Sequence, residues 1–190
     1  MSLTPTSYSA KLQAIGFSGL RNKSRQSVLK LAQDLLTQIK TKAVKRTTPR
    51  IGALYHFTYD AKFKDTLPYW DKMPVTMPIS IYDDGFLGIN FHYLHPYLRA
   101  KLLDRLQESY KAIGKNEAKR LQVSYSILNA ASGIPEFRPC IKRYLATNLK
   151  SPLLEIPASQ WFTAVVLPLA RFQGAPMAKV YSDSRKAARK

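Results

Sequence analysis

Cysteine, histidine and acidic side chains are all scarce in this 190-residue chain, and each shortage removes a class of function. The single cysteine, Cys140, can close no internal disulfide and supports no cysteine-rich metal site, so synthesis in a reducing cytoplasm is expected. No run of about 18 apolar residues is present, which excludes a membrane-spanning helix from the expectations. The opening MSLTPTSYSAKLQAIGF lacks the basic-then-apolar order of a secretory signal. Also missing are a phosphate-cradling glycine-rich loop, a nucleophile elbow and any zinc-ligand spacing.

Positive charge is abundant instead: 30 Lys and Arg stand against 12 Asp and Glu, for a net charge of +18. Its distribution says more than its total. Residues 1–50 hold ten cations and one acid, residues 51–170 fourteen and ten, and residues 171–190 six and one. Basic ends around a nearly balanced centre repel one another unless a polyanion or an acidic protein neutralises them. The candidate anion- or partner-binding residues are Arg21, Lys23, Arg25, Lys42, Lys45, Arg46 and Arg50 toward the N-terminus. Arg138, Lys142 and Arg143 follow in EFRPCIKRYL, and Arg185 and Lys186 lie near the C-terminus.

The expected organisation has three parts: a basic helical extension and linker over 1–50, a core domain over 51–174, and a polar basic tail over 175–190. Val28, Leu31, Leu35 and Ile39 recur at helical spacing behind Ser27, a plausible N-cap, and Pro49 closes the linker that follows. From 51 to 94 the period becomes two. In IGALYHFTYD, Leu54, His56 and Thr58 alternate with Ala53, Tyr55, Phe57 and Tyr59, while VTMPISIY and GFLGINFHYL carry strand-favouring residues. YDDG between these two runs predicts a hairpin with Gly85 at positive φ. Pro74 and Pro78 predict an edge position or a bulge near Pro78. Helices are expected from Pro96 to about 113, over about 117–131 and over about 138–149. SPLLEIP and SQWFTAVVLPLARF are expected as further strands. The fold class is α+β: a small antiparallel β-sheet or partly open barrel packed with three to four helices, with basic N- and C-terminal extensions.

Chemistry is thin. His92 and His95 sit three apart at a strand end, which puts them on opposite faces and makes poor metal geometry; with His56 they are expected as half-buried or capping residues. Asp60, Asp65, Asp71, Asp83 and Asp84 cluster in 55–96, and Asp60 with Lys62 faintly suggests a metal-dependent nuclease. The turn and loop ends account for the other acids. The aromatic side chains of the same stretch form a core, a stacking platform with Lys62, Lys64 and Lys72 holding phosphates, or a protein interface. Arg138 and Lys142 would share one helical side, either as an anion-facing ridge or as a solvated face. No catalytic residue, metal ligand or cofactor is assigned.

Taken together, LYHFTYDAKFKDTLPYWDKMPVTMPI, DDGFLGINFHYLHPYLRAKLLD, EFRPCIKRYL and VYSDS resemble a family of virion proteins from contractile-tailed bacteriophages, over about residues 52–180. Members of that family are labelled structural proteins or protectors of the packaged DNA end. The resemblance implies a non-enzymatic component of the virion in its tail, baseplate or head–tail region. Its basic arms would hold other virion proteins or double-stranded DNA, with no membrane partner and synthesis in the host cytoplasm. The alternative is a protein that binds and protects DNA ends, or, further off, a metal-dependent nuclease.

Overall fold

The computed structural model describes residues 43–96, 98–104, 135–166 and 169–187, with the single positions 7, 27, 30, 33, 34, 36, 37, 41 and 126. Among these residues the strands are β1 (Val44–Arg46), β2 (Leu54–His56), β3 (Trp70–Asp71), β4 (Val75–Tyr82), β5 (Gly85–Asn90), β6 (Ile141–Leu145), β7 (Leu153–Ile156) and β8 (Phe172–Gln173). Two α-helices have their full extent among them, α1 (Trp161–Val166) and α2 (Met177–Ala187). The chain is also helical at 96 and 98–104 and at the described positions between 27 and 41.

Six strands form one sheet in the order β1-β7-β2-β4-β5-β6, every neighbouring pair antiparallel, and β3 with β8 forms a separate ribbon. The expected small sheet or barrel with three to four helices is therefore corrected: a six-stranded sheet dominates, and two α-helices are complete among the described residues. The helix expected over 138–149 is the edge strand β6, flanked by 3₁₀ turns at Pro135–Cys140 and Ala146–Asn148. Five residues of β6 pair with β5, and that ladder overrides a weak i, i+3 apolar pattern. Conversely, part of SQWFTAVVLPLARF, expected as a strand, is α1; Trp161, Ala164 and Val165 are buried at helical spacing. SPLLEIP supplies β7 as expected. The helix expected over 117–131 lies outside the described residues except for position 126, which is helical.

The period-two alternation of β2 sorts the core into two faces. Tyr55, Phe57 and Tyr59 join Phe86, Tyr144 and Leu153 on one face, whereas Leu54, Met77, Ile89 and Ile156 belong to the larger cluster on the other. Tyr144 is the hub of the aromatic face, 4.9 Å from Tyr59, 5.3 Å from Phe57 and 5.2 Å from Phe86 between ring centroids. Edge-to-face and offset pairs of this kind add about 0.5–1.5 kcal/mol each beyond the area they bury.

The β4–β5 hairpin turns through Asp83 and Asp84 as YDDG predicts, and Gly85 has φ 149°. A second constraint acts there: a Cβ on Gly85 would lie 2.0 Å from the Tyr144 carbonyl oxygen of β6. The ladder shifts register between Pro78 and Ser80, which is the bulge expected near Pro78. Val44–Arg46, within the stretch expected as a linker, make the sheet's other edge as β1. Met177–Ala187, within the stretch expected as a tail, form α2 and bury Val180 and Ser184.

Arg99 anchors this helix from inside. Its fully buried guanidinium donates to the carbonyls of Leu94, Val165 and His92 and to the Tyr181 hydroxyl of α2.

Candidate nucleic-acid interface

Three groups of cations have distinct surroundings. On the β1 side, Arg46 Nε donates to Glu155 Oε2 at 2.8 Å and Arg50 Nη2 donates to Glu155 Oε1 at 2.5 Å, so one carboxylate on β7 holds two of the sequence-selected arginines. Lys45 is exposed beside them on β1. At the far end of α2, Arg185 and Lys186 are exposed in the last turn, where cations are favoured by the helix dipole. Arg21, Lys23, Arg25 and Lys42 lie outside the described residues.

The third group surrounds β6. Because this segment is a strand, Lys142 and Arg143 point to opposite faces, and the helical ridge expected for Arg138 and Lys142 does not form. Arg138 is exposed in the preceding 3₁₀ turn. Arg143 pairs with Asp84 at the hairpin tip, and its guanidinium stacks 4.2 Å from the centroid of the half-exposed Tyr82 ring. The Lys142 ammonium sits 4.2 Å from the centroid of the Tyr93 ring, and burial lowers its pKa. Among the described residues it has no carboxylate partner.

Lys142 borders an aromatic cleft of about 310 Å³, open on one side. The cleft lies on the aromatic face of the sheet, between β6 and the loop of residues 61–69. Tyr59, Trp70, Tyr93 and Tyr144 contribute walls, and Phe63, 62% exposed, stands on the loop. Lys62 Nζ is 5.4 Å from the Phe63 ring centroid. Of the three roles open to the aromatic residues, the core takes Tyr55, Phe57 and Phe86, while Phe63 and Trp70 line the cleft.

The floor of the cleft is polar and knit by hydrogen bonds around Asp71, while His92 Nε2 is buried without a hydrogen-bond partner among the described residues. Asp71, buried where the ribbon β3–β8 meets the sheet, accepts hydrogen bonds from His92 Nδ1 at 2.6 Å, Asn90 Nδ2 at 3.2 Å and the Met73 and Arg171 amides at 3.1 Å each. Asn90 Nδ2 also donates to the Tyr144 hydroxyl at 3.0 Å, and Asn90 Oδ1 accepts from the His92 amide. Burial pushes the Asp71 carboxyl up, but the His92 pairing and the Arg171 and Asn90 donors outweigh it and hold it below its ordinary value. Burial lowers the pKa of His92, outweighing the Asp71 carboxylate that raises it, and the Arg99 and Arg171 charges add to the lowering, which favours a neutral imidazole with its Nδ1 proton directed at Asp71.

The remaining candidate groups are engaged structurally. His56 Nδ1 lies 3.2 Å from the Pro74 carbonyl oxygen, and His95 is exposed with its ring 6.0 Å from that of Tyr181. Asp60, the faint nuclease candidate, is ion-paired to Lys64 at 3.0 Å, four residues on, while Lys62 lies over the Phe63 ring. Among the described residues no three His, Cys, Asp or Glu side chains converge as a metal site. Burial pushes the Cys140 thiol up to about 12, and its Sγ contacts the Phe137 carbonyl.

Sequence reasoning placed Asp71 at a loop end and His92 as a half-buried or capping residue, and missed their pairing. The residues lie 21 apart, and only the docking of β3 beside the end of β5 joins them. A carboxylate embedded in the aromatic run YWDKMP was the available signal.

In a comparison with known families, the model described as the phage T4 terminal DNA protecting protein matches residues 10–188. No curated protein and no solved structure matches the chain.

Proposed function

The chain belongs to the phage T4 terminal DNA protecting protein family, and on that premise we propose that it binds the ends of packaged duplex DNA and shields them without catalysis of its own. The observation that carries this reading is the extent of the match, residues 10–188, in a chain with a net charge of +18. Phosphate neutralisation by exposed Lys and Arg supplies affinity that does not depend on sequence, which suits a protein that meets whatever bases end the molecule. The end-protecting role takes precedence over a part in the tail, baseplate or head–tail region, because the family's description concerns terminal DNA. Action within the virion, beside neighbouring virion proteins, follows from the same premise.

Exonuclease digestion of a linear duplex, with and without the full chain, tests the proposal. Digestion is expected to slow with the protein present, and the DNA is expected to stay intact when protein and Mg²⁺ are supplied without nuclease. Binding should weaken steeply with salt, log K falling against log[salt] by about 0.9 per phosphate contact. Unchanged digestion at saturating protein, or an affinity indifferent to salt, would overturn it.

A further inference from the structure

We propose that the cleft between the 61–69 loop and β6 seats one unpaired nucleotide at the end of a DNA strand, its base stacked on aromatic side chains and its phosphate against Lys142. The inference rests on the DNA-end reading and adds a site to it.

Size is the first argument. A cavity of about 310 Å³ is at the lower end of small-ligand sites, about 300–1,000 Å³. It admits a single nucleotide and excludes a duplex, so a paired base must leave its stack to enter. That costs least where a strand ends and the last pair lacks a neighbour on one side.

Chemistry is the second. Trp70 lines the cleft wall and Phe63 presents an exposed ring on the loop above, whereas the Tyr93 ring is already covered by the Lys142 ammonium. An aromatic side chain that spends so much of its area in water gains most from a partner with a flat apolar face, and every base has one. Lys142 supplies the complementary feature. Lys142 is half-buried with its ammonium against Tyr93 and without a carboxylate partner among the described residues, a cation partly withdrawn from water with no anion beside it there. Asp71, the acid in the cleft floor, does not fill that role, since four donors already converge on its carboxylate. A ligand phosphate does.

Selectivity is the third. Both Asn90 amide hydrogens are directed to Asp71 and Tyr144, so the floor has no free amide donor to read a base edge. Stacking plus a point charge accepts any base, as end protection requires.

The test uses the full chain and the fluorescence of Trp70, with Trp161, enclosed in the core, as background. Four ligands are compared: a duplex with a three-nucleotide overhang, the same duplex closed by hairpins at both ends, a circular single strand, and a deoxynucleoside monophosphate. The overhang duplex is expected to quench the tryptophan signal and to bind more tightly than the closed duplex. Phe63→Ala, at an exposed position that leaves the core intact, and Lys142→Met should each lower the overhang-to-closed affinity ratio by about tenfold. Closed duplex bound as well as the overhang, without quenching, overturns this site and leaves the DNA-binding proposal standing. Quenching by the circle or the monophosphate at the same concentration overturns the strand end as occupant, assigning the cleft to interior single strand or to free nucleotide. An unchanged ratio in the folded Phe63→Ala variant overturns the cleft as the binding place. Absence of binding to every DNA form overturns the DNA-end reading itself, and this inference with it.

Discussion

His92 donates from Nδ1 to Asp71 at 2.6 Å, with both side chains enclosed by the fold. The pair makes stability depend on pH in one direction. The folded pKa of His92 lies below its ordinary value near 6.5, so as pH falls the unfolded chain takes up the proton first. Its contribution is complete above about pH 6.5 and declines at up to about 1.4 kcal/mol per pH unit below it. Burial also lowers His95, assisted by the Arg99 and Arg185 charges, and that exposed group adds a smaller effect of the same sign. Asp71, lowered as well, extends the loss to more acid conditions, below its ordinary value of 3.8. Thermal unfolding followed from pH 8 to 4 should show a falling midpoint below about 6.5; a flat profile would contradict the burial of a neutral His92.

Gly85 answers two demands at once, a positive φ and the close approach of β6. Gly85→Ala places a methyl against the Tyr144 carbonyl, and the neighbour there is backbone with little freedom to yield. A loss on the order of 2–4 kcal/mol is expected in urea unfolding, by backbone strain and a displaced strand.

Removing Arg99 should release α2. Arg99→Ala leaves the Leu94, Val165 and His92 carbonyls without this donor and opens a large cavity, for an expected loss on the order of 3–5 kcal/mol. Tyr181→Phe removes only the hydroxyl that accepts from Arg99 and should cost about 1 kcal/mol. Hydrogen exchange of α2 amides should accelerate in Arg99→Ala well beyond the change in Tyr181→Phe.

Glu155 restrains Arg46 and Arg50 at the β1 edge. Glu155→Gln removes one negative charge and frees two guanidinium groups, at a stability cost of about 1 kcal/mol or less for so exposed a pair. Affinity for linear duplex should rise, and the salt dependence should steepen by up to about 1.8 in log K against log[salt] if both arginines then reach phosphates. Fluorescence anisotropy across a salt series measures both.

Much of the central sheet was legible because its determinants are local. The alternation of Tyr55, Phe57 and Tyr59 matched the face they occupy, and YDDG located the β4–β5 turn. Pro78 marked the bulge, since a residue without an N–H interrupts a ladder wherever it falls. The β6 segment misled because Ile141, Tyr144 and Leu145 fit a helical face as well as a strand, and five residues are too few for periodicity to choose. The candidate site was legible only as composition: Lys142, Trp70 and Tyr93 were visible as cations and rings, with nothing to say that they border one cleft.

By itself, the sequence determined the charge and its concentration at the two ends, the lack of an internal disulfide, and the conformations required at Gly85 and Pro78. All of these are properties of single residues or close neighbours, and they hold in any fold the chain adopts. Only the tertiary structure decided that Glu155 neutralises two of the arginines, that Asp71 and His92 pair, and that Lys142 lies half-buried beside an aromatic cleft without a carboxylate among the described residues. The physical reason is that burial and pairing depend on which strands become neighbours. In this sheet β7 lies between β1 and β2, and β6 beside β5, bringing together residues up to 109 positions apart.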